Sequence, residues 1–271
     1  MPELLEGFAV RRAGSADPAD PLLVLVHGLG GAGTAWSLLV PHLAADHRLL
    51  LLDLPGHGQA PPLPPASMTP RALGERLRRF AAAQGGGVHL VGHSLGGWVT
   101  LEAAAGDRDG VVADVTAFAP AGLWTTPRRR PPLLPTGQQF ARWAGRLPPR
   151  VVTTRLGVTL ALGATSTAPR SLPVAVVRDA LSAIATAPGY VAADAGIAAA
   201  AFTRASEVTV PVTVVAGGRD RVLPPSFCRR EAAPAHTRWI EWPDCGHVPT
   251  WDHPAECARV VREQVDGPDR G

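Results

Sequence analysis

Val88-His89-Leu90-Val91-Gly92-His93-Ser94-Leu95-Gly96 is the stretch that decides how this chain is read. A short apolar run leads into a serine that has a glycine two positions before it and another two positions after it. A sharp strand-to-helix turn needs that spacing. The serine at its apex sits in strained backbone geometry, and a side chain at either glycine would collide with the neighbouring strand or helix. The turn lifts the hydroxyl above the sheet and sets the first amides of the following helix beside it, where they can stabilise a developing oxyanion. A glycine-rich loop holding an ordinary serine is spelled the same way, so the rest of the chain must supply the partners.

Short aliphatic runs bounded by turn residues recur on both sides of this stretch: Leu22–Val26, Leu49–Leu52, Val88–Val91, Val111–Phe118, Val212–Val215 and Arg238–Trp242. Continuous apolar character suits strands covered on both faces, as in a parallel sheet. Thr69 followed by Pro70 is a cap with a first-turn proline and predicts a helix through about Ala83. Pro224–Ala233 and Pro254–Val265 also read as helices. The expected fold is α/β, with a mostly parallel sheet flanked by helices on right-handed crossovers.

The alternation breaks between Gly122 and Ser206. Prolines crowd its first part (Pro127, Pro131, Pro132, Pro135, Pro148, Pro149), and alanine-rich helical patterns follow. Val151-Val152 and Val174–Val177 are weak strand candidates, and Pro173 favours helix for the second. The chain therefore reads as a core of residues 1–121 and 207–271 carrying a helical cap over 122–206. The tail from Asp266 is expected to fray.

At 271 residues the chain suits one large domain with an insertion. A hydrophobic content of 46% with 18% charged residues is that of a globular protein. The net charge of +3 is not gathered into a long basic stripe, which argues against a nucleic-acid partner. Lysine and asparagine are absent. That excludes a Walker lysine, a Schiff-base lysine, a Ser-Lys dyad and a Cys-His-Asn site. Cys228, Cys245 and Cys257 lack paired spacing and read as reduced thiols, with no metal expected. Met1–Arg12 has no signal-peptide core and no apolar run is long enough to cross a bilayer, so a soluble cytoplasmic protein without a membrane partner is expected.

An activated serine needs a base, and the base needs an orienting acid. His247 lies in Asp244-Cys245-Gly246-His247-Val248-Pro249, after the last expected strand, and Asp220 in Gly217-Gly218-Arg219-Asp220-Arg221, just past Val212–Val215. Each of Ser94, Asp220 and His247 thus follows a strand, and in such sheets the carboxyl ends share one edge where the side chains can converge. Asp244 and Asp252 are close to His247 in sequence and read as solvated turn residues. Asp53 and His57 read as holding a turn beneath the site, His93 as packing behind the serine turn, and His253 as preceding a helix.

A competing pattern is present. Gly28-Leu29-Gly30-Gly31-Ala32-Gly33 spells G-x-G-x-x-G after a strand, with Asp53 about twenty residues on, which is the dinucleotide fingerprint with its ribose acid. That reading leaves Ser94, Asp220 and His247 unexplained.

Taken together, His27-Gly28-Leu29-Gly30-Gly31, Asp53-Leu54-Pro55-Gly56-His57-Gly58, the serine turn, Gly217–Pro224 and Gly246-His247 strongly resemble the α/β-hydrolase superfamily, in its capped esterase-like and epoxide-hydrolase-like branch. The resemblance covers nearly the whole chain outside the cap and implies a sheet of the eight-stranded type. It implies that Ser94 is the nucleophile, His247 the general base and then acid, and Asp220 the acid that fixes the imidazole. It also implies an oxyanion hole from the backbone N–H groups of Leu29 and Leu95. A serine in place of an aspartate points to acyl chemistry, without a cofactor, on a small carboxylic ester with an apolar acyl part. C–C bond hydrolases, lactonases and thioesterases share the triad, and Val248 stands where C–C hydrolases commonly carry tryptophan. Trp124, Trp143 and Val248 are candidates to line the substrate pocket, although core packing explains the tryptophans equally. Arg128-Arg129-Arg130 reads as a solvated charge run. A slow-turnover ligand sensor on the same scaffold is the alternative from another class, and oligomeric state is not legible.

Overall fold

The computed structural model describes residues 3–124, 137–144 and 154–267. Its strands are β1 Glu3–Leu5, β2 Phe8–Gly14, β3 Leu22–Val26, β4 Arg48–Asp53, β5 Val88–His93, β6 Val112–Phe118, β7 Val212–Gly217 and β8 Arg238–Trp242. Among the described residues they form one eight-stranded sheet in the order β1-β2-β4-β3-β5-β6-β7-β8. Strand β2 runs antiparallel to both neighbours, and every pairing from β4 through β8 is parallel.

Alternation along each strand divides the core in two. Val24, Val26, Leu50, Leu52 and Leu90 enter one apolar cluster, while Leu23, Leu25, Leu49, Leu51 and Val91 enter the other. The continuous aliphatic runs are thus covered on both faces, because successive side chains on a strand point to opposite sides of the sheet. The helices α1 Val40–Leu43, α2 Pro70–Ala83 and α3 Leu95–Ala105 follow in chain order. Thr69 caps α2 as its sequence predicts, its hydroxyl accepting the Ala72 N–H at 3.3 Å. Every residue of α3 is buried, so the helix behind Ser94 has no solvent face on which to shift.

Between β6 and β7 the described residues form α4 Gly137–Ala144, α5 Arg155–Leu162, α6 Val174–Thr186 and α7 Tyr190–Ala199, and no strand. Val174–Val177 opens α6, following Pro173. Val151-Val152, Arg128-Arg129-Arg130, the six prolines from Pro127 to Pro149 and the last four residues of the tail lie outside the described residues. Two short contacts clasp this segment where it leaves and rejoins the sheet. Phe202 N–H donates to the Gly122 carbonyl at 2.9 Å, and Trp124 Nε1–H donates to the Ala200 carbonyl at 2.9 Å. Helices α8 Pro249–Asp252 and α9 Pro254–Asp266 end the chain, and no described helix is long and apolar enough to cross a membrane.

Two elements depart from expectation. The hairpin β1–β2 was not legible: it is a short edge element, and its two-residue turn, Glu6-Gly7, has φ of 54° and 89° without the usual Asn-Gly spelling. Pro224–Ala233 is not a helix but a series of turns with a 3-10 turn at Arg230–Ala232. Its turns bond locally, at Phe227 and Cys228 to the Pro224 carbonyl, but the Arg229 N–H that follows donates to the distant Leu123 carbonyl and interrupts the helical ladder.

Candidate active site

Register brings the loops to one edge. Val26 pairs with both Leu52 and Gly92, and Phe118 pairs with both His93 and Val215, so the segments leaving β3, β5, β7 and β8 emerge together. Ser94 is held there at φ 52° and ψ −115°. Its N–H donates to the Phe118 carbonyl at 3.0 Å, and its carbonyl accepts the Ala121 and Trp98 amides at 2.9 and 3.2 Å. The strained backbone is therefore fixed from three sides. The two glycines are steric necessities: a Cβ on Gly92 would lie 2.5 Å from the Gly96 carbonyl oxygen, and one on Gly96 would lie 2.0 Å from that of Val26.

The three residues named from sequence order meet at this edge. The Ser94 hydroxyl lies 3.0 Å from His247 Nε2, and His247 Nδ1 lies 2.7 Å from Asp220 Oδ2. Because the carboxylate can only accept, Nδ1 carries the imidazole proton and Nε2 presents its lone pair to the serine. The other oxygen of Asp220 accepts the Val222 and Leu223 amides at 2.8 and 2.7 Å, which fixes the carboxylate plane. His247 and Asp220 are each 5% exposed, so water competes little for these bonds. Among the described residues, the amides of Leu29 and Leu95 donate to no acceptor and are free to receive an oxyanion.

Three further histidines surround the site, and burial lowers the pKa of each. Buried His27 accepts the Leu54 N–H on Nε2 at 3.0 Å and donates from Nδ1 to the Gly28 carbonyl at 2.7 Å. Burial, together with the nearby His57, pushes its pKa down to about 3. His93 Nε2–H donates to the carbonyl of His247 at 2.8 Å. Loss of hydration and the adjacent His247 also lower its pKa to about 3. His93 thus does more than pack behind the serine: it holds the His247 backbone. His57 lies tilted against His27, with ring centroids 5.4 Å apart, and donates to the Pro55 carbonyl.

These neutral imidazoles make stability depend on pH. Between pH 3 and the ordinary 6.5, the unfolded chain binds protons that the fold refuses. Stability therefore rises with pH up to about 6.5 and is lost as the pH falls below it, by at most about 1.4 kcal/mol per pH unit for each histidine. Thermal melts between pH 7 and pH 5 are expected to show a falling Tm, and a flat profile contradicts the assignment.

Above Ser94 lies a cavity of about 370 Å³. Leu29, His247 and Val248 border it on the sheet side, and Leu181, Ile184 and Tyr190 of α6 and α7 on the other. The helical residues are not among those singled out from sequence, although the four-residue spacing of Val176, Ala180 and Ile184 marks one helix face. Of the three expected pocket residues, Val248 borders the cavity and the two tryptophans do not. Trp124 is 2% exposed, packed edge-on against Trp98 and beside Phe227, because its indole closes the clasp described above. Trp143 is 56% exposed on α4.

The dinucleotide reading fails on Asp53. Its Oδ1 accepts the Gly33 amide at 2.6 Å and its Oδ2 the Gln59 amide at 2.9 Å, so the carboxylate is occupied in tying the glycine loop to the next turn. The glycine run leads into a 3-10 turn, Gly33–Trp36, and the four-residue α1 rather than a long helix. Asp252, expected to be a solvated turn residue, accepts hydrogen bonds from Gly246, Ser166 and Thr167. Asp244 is the exposed acid of that loop.

Comparisons with known proteins agree with this fold. A profile of the Alpha/beta hydrolase family matches residues 23–260. Over 258 residues the chain is 31% identical to the pimeloyl-[acyl-carrier protein] methyl ester esterase of Xanthomonas campestris pv. campestris, covering 90% of this chain and 95% of that protein. It is 42% identical over 107 residues to the dihydrolipoyllysine-residue acetyltransferase component of the acetoin cleaving system of Pseudomonas putida, a match over 37% of this chain. The chain spans about a quarter (27%) of that relative. Among solved structures, the enol-lactonase from Burkholderia xenovorans LB400 is similar at a TM-score of 0.72 and 20% identity, over 96% of each chain, a likeness of fold. With its family profile matched from β3 into α9 and an esterase alike over nearly its full length, the chain belongs to the alpha/beta hydrolase family and is a hydrolase.

Proposed function

We propose that the protein is a cofactor-independent serine esterase that cleaves a small carboxylic ester with an apolar acyl part. The observation that carries this reading is the hydrogen-bonded line from the Ser94 hydroxyl through His247 to Asp220, at 3.0 and 2.7 Å. His247 Nε2 takes the serine proton as Oγ attacks the ester carbonyl. The oxyanion rests on the Leu29 and Leu95 amides, main-chain donors that the fold rather than a side-chain rotamer holds in place. His247 then passes its proton to the departing alkoxide, leaving an acyl group on Ser94. Water, deprotonated by the same imidazole, attacks that ester and releases the acid. The described helices between β6 and β7 act as a lid that shields these steps.

The cavity supports the apolar acyl part, since Leu29, Leu181, Ile184 and Val248 offer aliphatic walls. A series of p-nitrophenyl esters tests both substrate and mechanism. Turnover efficiency is expected to rise from acetate towards medium chains, by up to about fourfold per methylene buried, and to fall once the chain outgrows the cavity. Repeated turnover after any initial burst is expected. A single burst with no recycling contradicts the esterase reading and favours a slow sensor.

A further inference from the structure

We infer that Asp252 is a positioning residue, whose one carboxylate binds the His247 loop and the lid into a single unit. The inference rests on the reading of His247 as the base. Asp252 ends α8, five positions after His247, and its two oxygens face different parts of the molecule. Oδ2 accepts the N–H of Gly246, the residue before His247, at 2.7 Å. Oδ1 accepts the Ser166 hydroxyl at 2.6 Å, and the Thr167 N–H lies 3.2 and 3.1 Å from the two oxygens. Ser166 is 4% exposed, and its oxygen in turn accepts the Ala168 N–H at 3.1 Å.

A second bond runs in parallel with these. Val248 N–H, on the other side of His247, donates to the Thr165 carbonyl at 2.9 Å. Residues 165–167 belong to the segment between β6 and β7, and Thr165 itself borders the cavity. Both neighbours of His247 are therefore tied to the lid, Gly246 through Asp252 and Val248 directly. The lid cannot move at Thr165–Thr167 without pulling on the backbone that aims the imidazole. A carboxylate is required because donors approach both oxygens; an asparagine offers one acceptor and turns its NH2 towards a donor. Charge also shortens and strengthens such bonds.

Ser166 provides the decisive test, since it donates to Asp252 and makes no hydrogen bond to residues 246–248. Capture of Ser94 by a small fluorophosphonate reports activation of the serine without requiring the cavity above it to be filled. Asp252→Asn is expected to slow capture at least tenfold, and Ser166→Ala severalfold. The double variant should be no slower than Asp252→Asn alone, because both act through one carboxylate. On p-nitrophenyl acetate, kcat should fall while KM stays within twofold, a split that mere loosening of the fold does not produce. Asp244→Asn, altering the exposed acid of the same loop, should capture within twofold of wild type. Wild-type capture by folded Ser166→Ala overturns the coupling even where Asp252→Asn fails to fold. Wild-type capture by Asp252→Asn overturns the positioning role. Equal labelling of Ser94→Ala and wild type would instead remove the serine reading itself, so the two failures are distinguishable.

Discussion

Ser94→Ala is expected to lower turnover of p-nitrophenyl esters by about a millionfold, and His247→Ala by about as much, because the groups act as one unit. Without the hydroxyl there is nothing to acylate. Without the imidazole, the hydroxyl that lies 3.0 Å from Nε2 has no acceptor for its proton. Asp220→Asn should cost about ten-thousandfold, through the imidazole tautomer. The Val222 and Leu223 amides hold one oxygen of residue 220, so an asparagine keeps its carbonyl oxygen there and turns its NH2 towards His247. Nδ1 then accepts, the proton moves to Nε2, and the lone pair facing Ser94 is lost. Steady-state rates, with intact mass after fluorophosphonate treatment, give the result. Wild type should gain one adduct, and Ser94→Ala none. A Ser94→Ala protein that keeps even a hundredth of the wild-type rate contradicts the assignment.

Gly96→Ala is expected to destabilise the fold by more than about 4 kcal/mol, or to leave no soluble protein. The added methyl would sit 2.0 Å from the Val26 carbonyl oxygen and 2.6 Å from that of His27. Neither side can retreat. Val26 ends a wholly buried strand paired on both edges, and α3 has no exposed residue along its length. Gly85→Ala is the informative control. That glycine, unlike Gly96, has a positive φ, of 99°, and nothing lies within 4 Å of its would-be Cβ. Only the backbone penalty remains there, about 1 kcal/mol. Urea midpoints of the two variants separate steric collision from conformational preference. A Gly96→Ala protein as stable as Gly85→Ala means that the turn does not approach β3 as described.

Legibility differed with the range of the interactions involved. Leu22–Val26 is readable to the residue, because a run of that composition has few alternatives to a covered strand, and Arg238–Trp242 matches its expected bounds although it is the half-exposed edge strand. The Thr69-Pro70 start of α2 was equally local. Phe8–Gly14 is not legible because its burial neither alternates nor runs through: buried Phe8–Val10 is followed by exposed Arg11 and Arg12. Pro224–Ala233 was misread because its helical pattern is overruled by a bond to Leu123, about a hundred positions away in the chain. The tryptophans show the same limit. Nothing local distinguishes Trp124, which closes a clasp with Ala200, from Trp143, which faces solvent.

Determined by the sequence alone were the parallel α/β core, the strained serine turn and the chain order of Ser94, Asp220 and His247. These depend on spacing within a few residues and on the rule that loops leave a parallel sheet at one edge. Only the tertiary structure decided that His93 holds the His247 carbonyl, that Trp124 belongs to the core, and that Asp252 joins the base loop to Ser166, 86 positions away. The physical reason is that a hydrogen bond across such a separation leaves no periodicity in the chain. An acid in a turn looks the same whether water or a buried serine occupies its oxygens.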